Sequence, residues 1–146
     1  MKNRMQFSLG NIVSFISDKT IKVGFISVLS YDRANISTYK SFIGSYGNFT
    51  MTRGCEIHTV KYVNIKPIII NEEWLLKFGW KYLNGKTSGD LTKDTSKKMD
   101  IDFIDGKLKI KSHYEDYSFY RDLNIIHVHR LQNFFESINE PLIVSS

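Results

Sequence analysis

One cysteine and two prolines in 146 residues leave this chain few covalent or conformational staples. With Cys55 alone no intrachain disulfide can form, and a lone thiol suits a reducing compartment. No apolar run approaches the roughly 20 residues that span a bilayer. The stretch behind Lys2 and Arg4 is broken by Gln6, Ser8, Gly10 and Asn11, too polar for the core of a signal peptide. The expectation is a cytoplasmic protein with no membrane partner. Catalytic signatures are equally scarce: no Ser/His/Asp ordering, no phosphate-cradling glycine loop and no nucleophile elbow stands in the sequence. A non-enzymatic protein without a cofactor is therefore expected.

What is present suits one globular domain over residues 1–146. The chain is 42% hydrophobic and 14% aromatic, enough to bury a core without metal or disulfide. Residues 1–66 read as short strands between turns. Ile12, Val13 and Phe15 form a brief run, and Thr20 to Leu29 sets Ile21, Val23 and Phe25 on one face with Ile26 and Val28 on the other. A strand apolar on both faces is central in a sheet or small barrel. Further strands are expected around Ile36–Ile43 and His58–Lys66. The class is thus α+β, mainly β, with an N-terminal SH3-like small barrel or sheet.

Residues 67–83 carry a helix over 71–78 with well-marked ends. Asn71 caps it, Glu72 and Glu73 meet the helix dipole, Ile70 can staple to Leu75, and Gly79 lets Trp80 fold back. Residues 84–98 contain one apolar side chain, Leu91, and read as a long mobile loop. In the 99–146 portion, Asp105-Gly106 predicts a two-residue turn. It pairs Phe103 with Leu108, Asp102 with Lys109, Ile101 with Ile110 and Asp100 with Lys111, apolar partners on one face and opposite charges on the other. A strand about Ser118–Ile126 and a helix over 127–138 follow, the latter on the spacing of Val128, Leu131, Phe135 and Ile138. Leu142-Ile143-Val144 is apolar enough for a closing strand.

The net charge of +5 is unevenly spread: residues 1–83 hold 11 Lys/Arg against 5 Asp/Glu, residues 99–146 hold 5 against 8. Basic residues interleave with aromatics in the first part, Arg33, Lys40, Arg53 and Lys61 among Tyr31, Tyr39, Tyr46 and Tyr62. Small β-domains bind single strands with aromatics for stacking and cations for phosphates, and the same tyrosines serve equally as cross-strand packing. Lys86, Lys93, Lys97 and Lys98 of the 84–98 loop would extend such a face. The remaining constellations have plainer explanations. Glu72 and Glu73 point about 100° apart on a helix, and capping accounts for them. His127 and His129 form a His-x-His pair, but a zinc site needs three or four ligands. Their rings are expected to diverge, with His129 hydrogen-bonded as a structural residue. Cys55 is expected to be a small buried side chain.

Residues 67–80, Pro-Ile-Ile-Ile-Asn-Glu-Glu-Trp-Leu-Leu-Lys-Phe-Gly-Trp, resemble a segment of small proteins from Bacteroidetes phages and prophages, in which Thr-Glu-Glu-Trp-Leu-Leu-Lys-Phe-Gly-Phe is usual. Val128-His129-Arg130-Leu131-Gln132-Asn133 resembles the Val-His-x-Leu-Gln-Asn helix of that family, and Gly10-Asn11-Ile12-Val13 its Gly-Asn-x-Val strand. Asn71 replaces the threonine and Trp80 the final phenylalanine. The resemblance implies a phage or mobile-element origin and brings no activity with it. Together these readings predict an accessory protein in the host cytoplasm that binds nucleic acid or a host protein stoichiometrically. The alternative is a virion structural protein, a head, ring or decoration component that contacts other virion proteins.

Overall fold

The computed structural model describes residues 7–38, 56–85, 88–113 and 120–144. Among them lie two five-stranded antiparallel sheets and two α-helices. The first sheet contains β1 (Ile12–Ser17), β2 (Thr20–Leu29), β3 (Arg33–Thr38), β4 (Glu56–Lys61) and β5 (Ile65–Lys66), in the order β4-β3-β2-β1-β5. Helix α1 (Glu72–Lys77) leads to the second sheet: β6 (Lys81–Tyr82), β7 (Leu91–Asp94), β8 (Met99–Ile104), β9 (Lys107–Ser112) and β10 (Arg121–Asp122), in the order β10-β9-β8-β7-β6. Helix α2 (Val128–Ser137) follows. The fold is α+β and mainly β, and of the two N-terminal forms expected, the open sheet is the one observed. Among the described residues no pairing closes a barrel.

The alternation in β1 and β2 explains how the two sheets share one molecule. Val13, Phe15 and Ile26 point into a first core with Ala34, Ile36, Val60, Tyr62 and Ile65. Ile12 and Val23 point the other way, into a second core built on Trp74, Leu75, Trp80, Leu91, Ile101, Leu131 and Phe135. Both central strands are thus apolar on two faces because each face meets a different core. At Gly24 the chain has no room for a side chain, since a Cβ there would lie 2.6 Å from the Ser37 carbonyl oxygen and 2.7 Å from Ile36 Cγ2.

Local signals carry through in α1 and the β8–β9 hairpin. The Asn71 side chain accepts a 3.0 Å hydrogen bond from the Trp74 amide. At the other end the Trp80 amide donates to Leu75 O and the Gly79 amide to Leu76 O, with Gly79 at φ 98°, a Schellman closure. In the hairpin, Asp105 and Gly106 both take positive φ, and the pairing is Phe103↔Leu108, Asp102↔Lys109, Ile101↔Ile110 and Asp100↔Lys111, as predicted.

Four expectations are corrected. His58–Lys66 is not one strand: a 3-10 turn at Tyr62–Asn64 divides β4 from β5 and buries Tyr62. The long loop expected over 84–98 contains a strand, since Leu91–Asp94 forms β7 between β6 and β8. Of the strand expected about Ser118–Ile126, only β10 is paired within the described residues. Leu142 and Val144 pack against the second core without joining a strand.

The junction of the first sheet with α2 is polar and held by side-chain hydrogen bonds. Asn11, 2% exposed, accepts from the Ser8 amide at 2.7 Å and donates to Asn133 Oδ1 at 2.9 Å. Gln132 accepts from the Ile12 amide at 2.7 Å and donates to Gly10 O at 3.1 Å. The Gly10-Asn11 and Gln132-Asn133 dipeptides, 122 residues apart, are therefore one clasp, which gives both strings a structural role.

Candidate functional site

The β2–β4 part of the first sheet, on the side away from its core, is an open polar surface. Strand register puts Arg33 opposite Lys61, Asn35 opposite Thr59 and Ser37 opposite Ile57 on that side. Side chains there hold one another: Thr59 donates to Asn35 Oδ1 at 3.0 Å, and Ser37 to Ser27 at 3.3 Å. Arg33 reaches Asp32 through two 3.0 Å bonds, and these hold the Asp32 carboxyl below its usual range. Tyr31, 70% exposed, stands in the turn just before. Among the described residues, Arg33 and Lys61 are thus the predicted binding residues that this sheet brings together, and Tyr31 is the aromatic in the turn before Arg33. Tyr62 is removed from any stacking role, because it is buried and its hydroxyl donates to Ser30 O at 2.6 Å. Lys40, Arg53 and Lys86, with Tyr39, Tyr46 and Cys55, lie outside the described residues.

Lys93, Lys97 and Lys98 sit instead on the β7–β8 hairpin of the second sheet. Lys93 Nζ lies 5.4 Å from the centre of the Trp80 ring, an intramolecular cation–π contact. The Lys97 amide donates to Thr95 Oγ1 at 3.2 Å, and the Lys98 carbonyl accepts from the His113 amide at 2.8 Å. Two separate basic groups result, one on each sheet.

The outward side of the second sheet carries its own polar row. Asp102 is only 2% exposed and accepts hydrogen bonds from Thr92 and, at 2.7 Å, from Tyr120. That bond and partial burial push the Tyr120 phenol up to about 12. Lys109, the register partner of Asp102, lies 4.0 Å from Asp122. Along the same side, Asp94 and Asp100 are register partners, and His113 Nε2 lies 2.7 Å from Asp100 and 3.5 Å from Asp94. The Asp94 carboxyl is pushed up because it shares a hydrogen bond with Asp100, is partly desolvated and faces like charge. Among the described residues this trio is the set that could hold a metal ion. The sequence does not show this trio, because its members meet only once Leu91–Asp94 pairs with Met99–Ile104.

The His-x-His pair differs from expectation on both counts. The two rings stack, with centroids 5.8 Å apart and planes 24° from parallel. His129 is buried and packs on Phe7 at 4.9 Å, and among the described residues neither of its ring nitrogens has a hydrogen-bond partner. Burial, with His127 and Arg130 nearby, lowers its pKa to about 4.

Comparison with protein-family models, with curated proteins and with solved structures finds no match to this chain.

Proposed function

We propose that this chain is a non-enzymatic accessory protein of a phage or mobile element, acting by stoichiometric binding, and that nucleic acid is the partner its surface fits best. The observation that carries this reading is the pairing of Arg33 with Lys61 on an open sheet face beside exposed Tyr31. Cations there suit phosphates, the Asn35, Ser37 and Thr59 side chains suit sugars and base edges, and the tyrosine suits stacking on an unpaired base. The face is small, so the affinity it supports is modest.

Fluorescence anisotropy with single-stranded and duplex oligonucleotides at two salt concentrations tests the proposal. Binding tighter than about 10 μM, near −7 kcal/mol, is expected, weakening as salt rises. An Arg33→Gln/Lys61→Gln double variant should weaken it and flatten the salt dependence by about 0.7 log–log units per lost contact to a single strand. No binding in that range, or equal binding by the double variant, overturns the assignment.

A second reading, a virion structural protein such as a head, ring or decoration component, rests on a different feature of the same sheet. Ile16 and Ile21 are cross-strand partners and remain 51% and 74% exposed, and Ile57 is 70% exposed. Exposed isoleucines on a sheet face suit contacts between subunits. Mass spectrometry of purified particles separates the two: many copies per particle favour the structural role, and absence from particles removes it.

A further inference from the structure

We infer that Asp94, Asp100 and His113 form a binding site for a divalent transition-metal ion of the zinc type, on the outward side of the second sheet. The three donors come from neighbouring strands rather than from one flexible loop. Asp94 ends β7, Asp100 faces it from β8, and His113 follows the last residue of β9. The His113 amide is tied to the Lys98 carbonyl at 2.8 Å, which anchors the imidazole's backbone to the β7–β8 turn. One donor atom from each side chain falls within 4.8 Å of the others. A tetrahedral zinc with bonds of roughly 2.0–2.1 Å holds its ligands about 3.3 Å apart. The observed 2.7 Å and 3.5 Å from His113 Nε2 to the two carboxylates bracket that spacing. Small side-chain rotations would admit the ion.

The donor set decides the kind of ion. Calcium and magnesium take oxygen ligands, whereas one imidazole with two carboxylates matches the borderline preference of zinc. Three protein ligands at an open surface position, with Asp94 and His113 exposed and Asp100 partly buried, leave a coordination place for water. The site also meets an electrostatic need. Like charges placed directly opposite on adjacent strands repel when both are ionised, and a dication between Asp94 and Asp100 offsets that repulsion more fully than His113, which already bridges them at 3.5 Å and 2.7 Å. Lys111, the register partner of Asp100, supplies only one positive charge. Its ammonium lies 5.7 Å from the centre of the Tyr120 ring.

Isothermal titration of the full-length, tag-free, chelator-stripped protein with zinc chloride tests the site. Saturable binding of one ion with a dissociation constant below about 100 μM is expected. His113→Ala and Asp100→Asn should each weaken it by roughly tenfold or more. Asp122→Asn, a carboxylate outside the trio, should leave it unchanged, and calcium chloride should bind far more weakly. Should the variants fail to fold, imidazole NMR of the wild type serves instead. Zinc should then shift the His113 resonances before those of His58 and His127. The inference fails if the wild type shows no saturable uptake in that range. It fails equally if His113→Ala binds like wild type, or if another histidine responds first.

Discussion

At the residue scale, the energetics of this molecule concentrate where a side chain has no alternative. His129 is the sharpest case: it is buried, and among the described residues its ring nitrogens have no hydrogen-bond partner, so the folded state resists its protonation. In the unfolded chain the same imidazole titrates near 6.5. Above pH 6.5 both states leave it neutral and it contributes no pH dependence. Between pH 6.5 and about 4 the unfolded state takes up a proton that the folded state refuses, so stability falls with pH and then levels off. The full effect is about 3 kcal/mol. Urea melts of wild type and His129→Leu from pH 7 to pH 4 should show a steeper loss in the wild type. Parallel curves would remove His129 from the acid response. Gly24 is constrained by space instead of charge. With backbone at 2.6 Å from an added Cβ, Gly24→Ala must push β2 and β3 apart. We expect a loss of about 1–3 kcal/mol, read as a lower urea midpoint with an unchanged slope.

At the element scale, the features legible in the sequence are those whose signals are local. Asn71, Gly79 and Trp80 specify α1 within ten residues, Asp105-Gly106 sets the hairpin register, and the Val128, Leu131, Phe135 spacing marks α2. Strand β7 was illegible because its one apolar residue, Leu91, carries no periodicity. Its pairing comes from β8 and β6 rather than from its own composition. The same non-locality hid the candidate metal site and the burial of Asp102, whose partners Thr92 and Tyr120 lie 10 and 18 residues away. Conversely, the 142–144 segment has strand-like composition, yet only Leu142 and Val144 pack on the core and the segment joins no strand. The clasp between β1 and α2 was half legible: its two strings stood out, but nothing local said that they meet. Gln132→Ala should leave the amide of buried Ile12 without its partner, costing about 1–3 kcal/mol, while the exposed Gly10 carbonyl turns to water. Gln132→Glu keeps the acceptor for Ile12 but loses the donor to Gly10, so its cost should fall between wild type and alanine. If alanine and glutamate variants melt together with wild type, the clasp contributes nothing to stability.

At the scale of the whole molecule, the question is whether two sheets with two cores behave as one folding unit. The alternation in β1 says that they do. Ile12 belongs to the second core and its neighbour Val13 to the first, so neither core can lose its share of that strand while the other keeps it. Gln132 and Asn133 tie the same strand to α2. Both tryptophans, Trp74 and Trp80, lie in the second core, so their fluorescence reports on that half alone. Ile36 lies fully buried in the first core, on β3. Ile36→Val should cost about 1 kcal/mol through the methylene it removes. In a cooperative molecule that loss lowers the urea midpoint of tryptophan fluorescence and of far-ultraviolet circular dichroism by the same amount, and the two probes coincide in both proteins. If the tryptophan transition stays in place while the dichroism broadens or splits, the sheets unfold separately and β1 is not the shared element its burial pattern makes it.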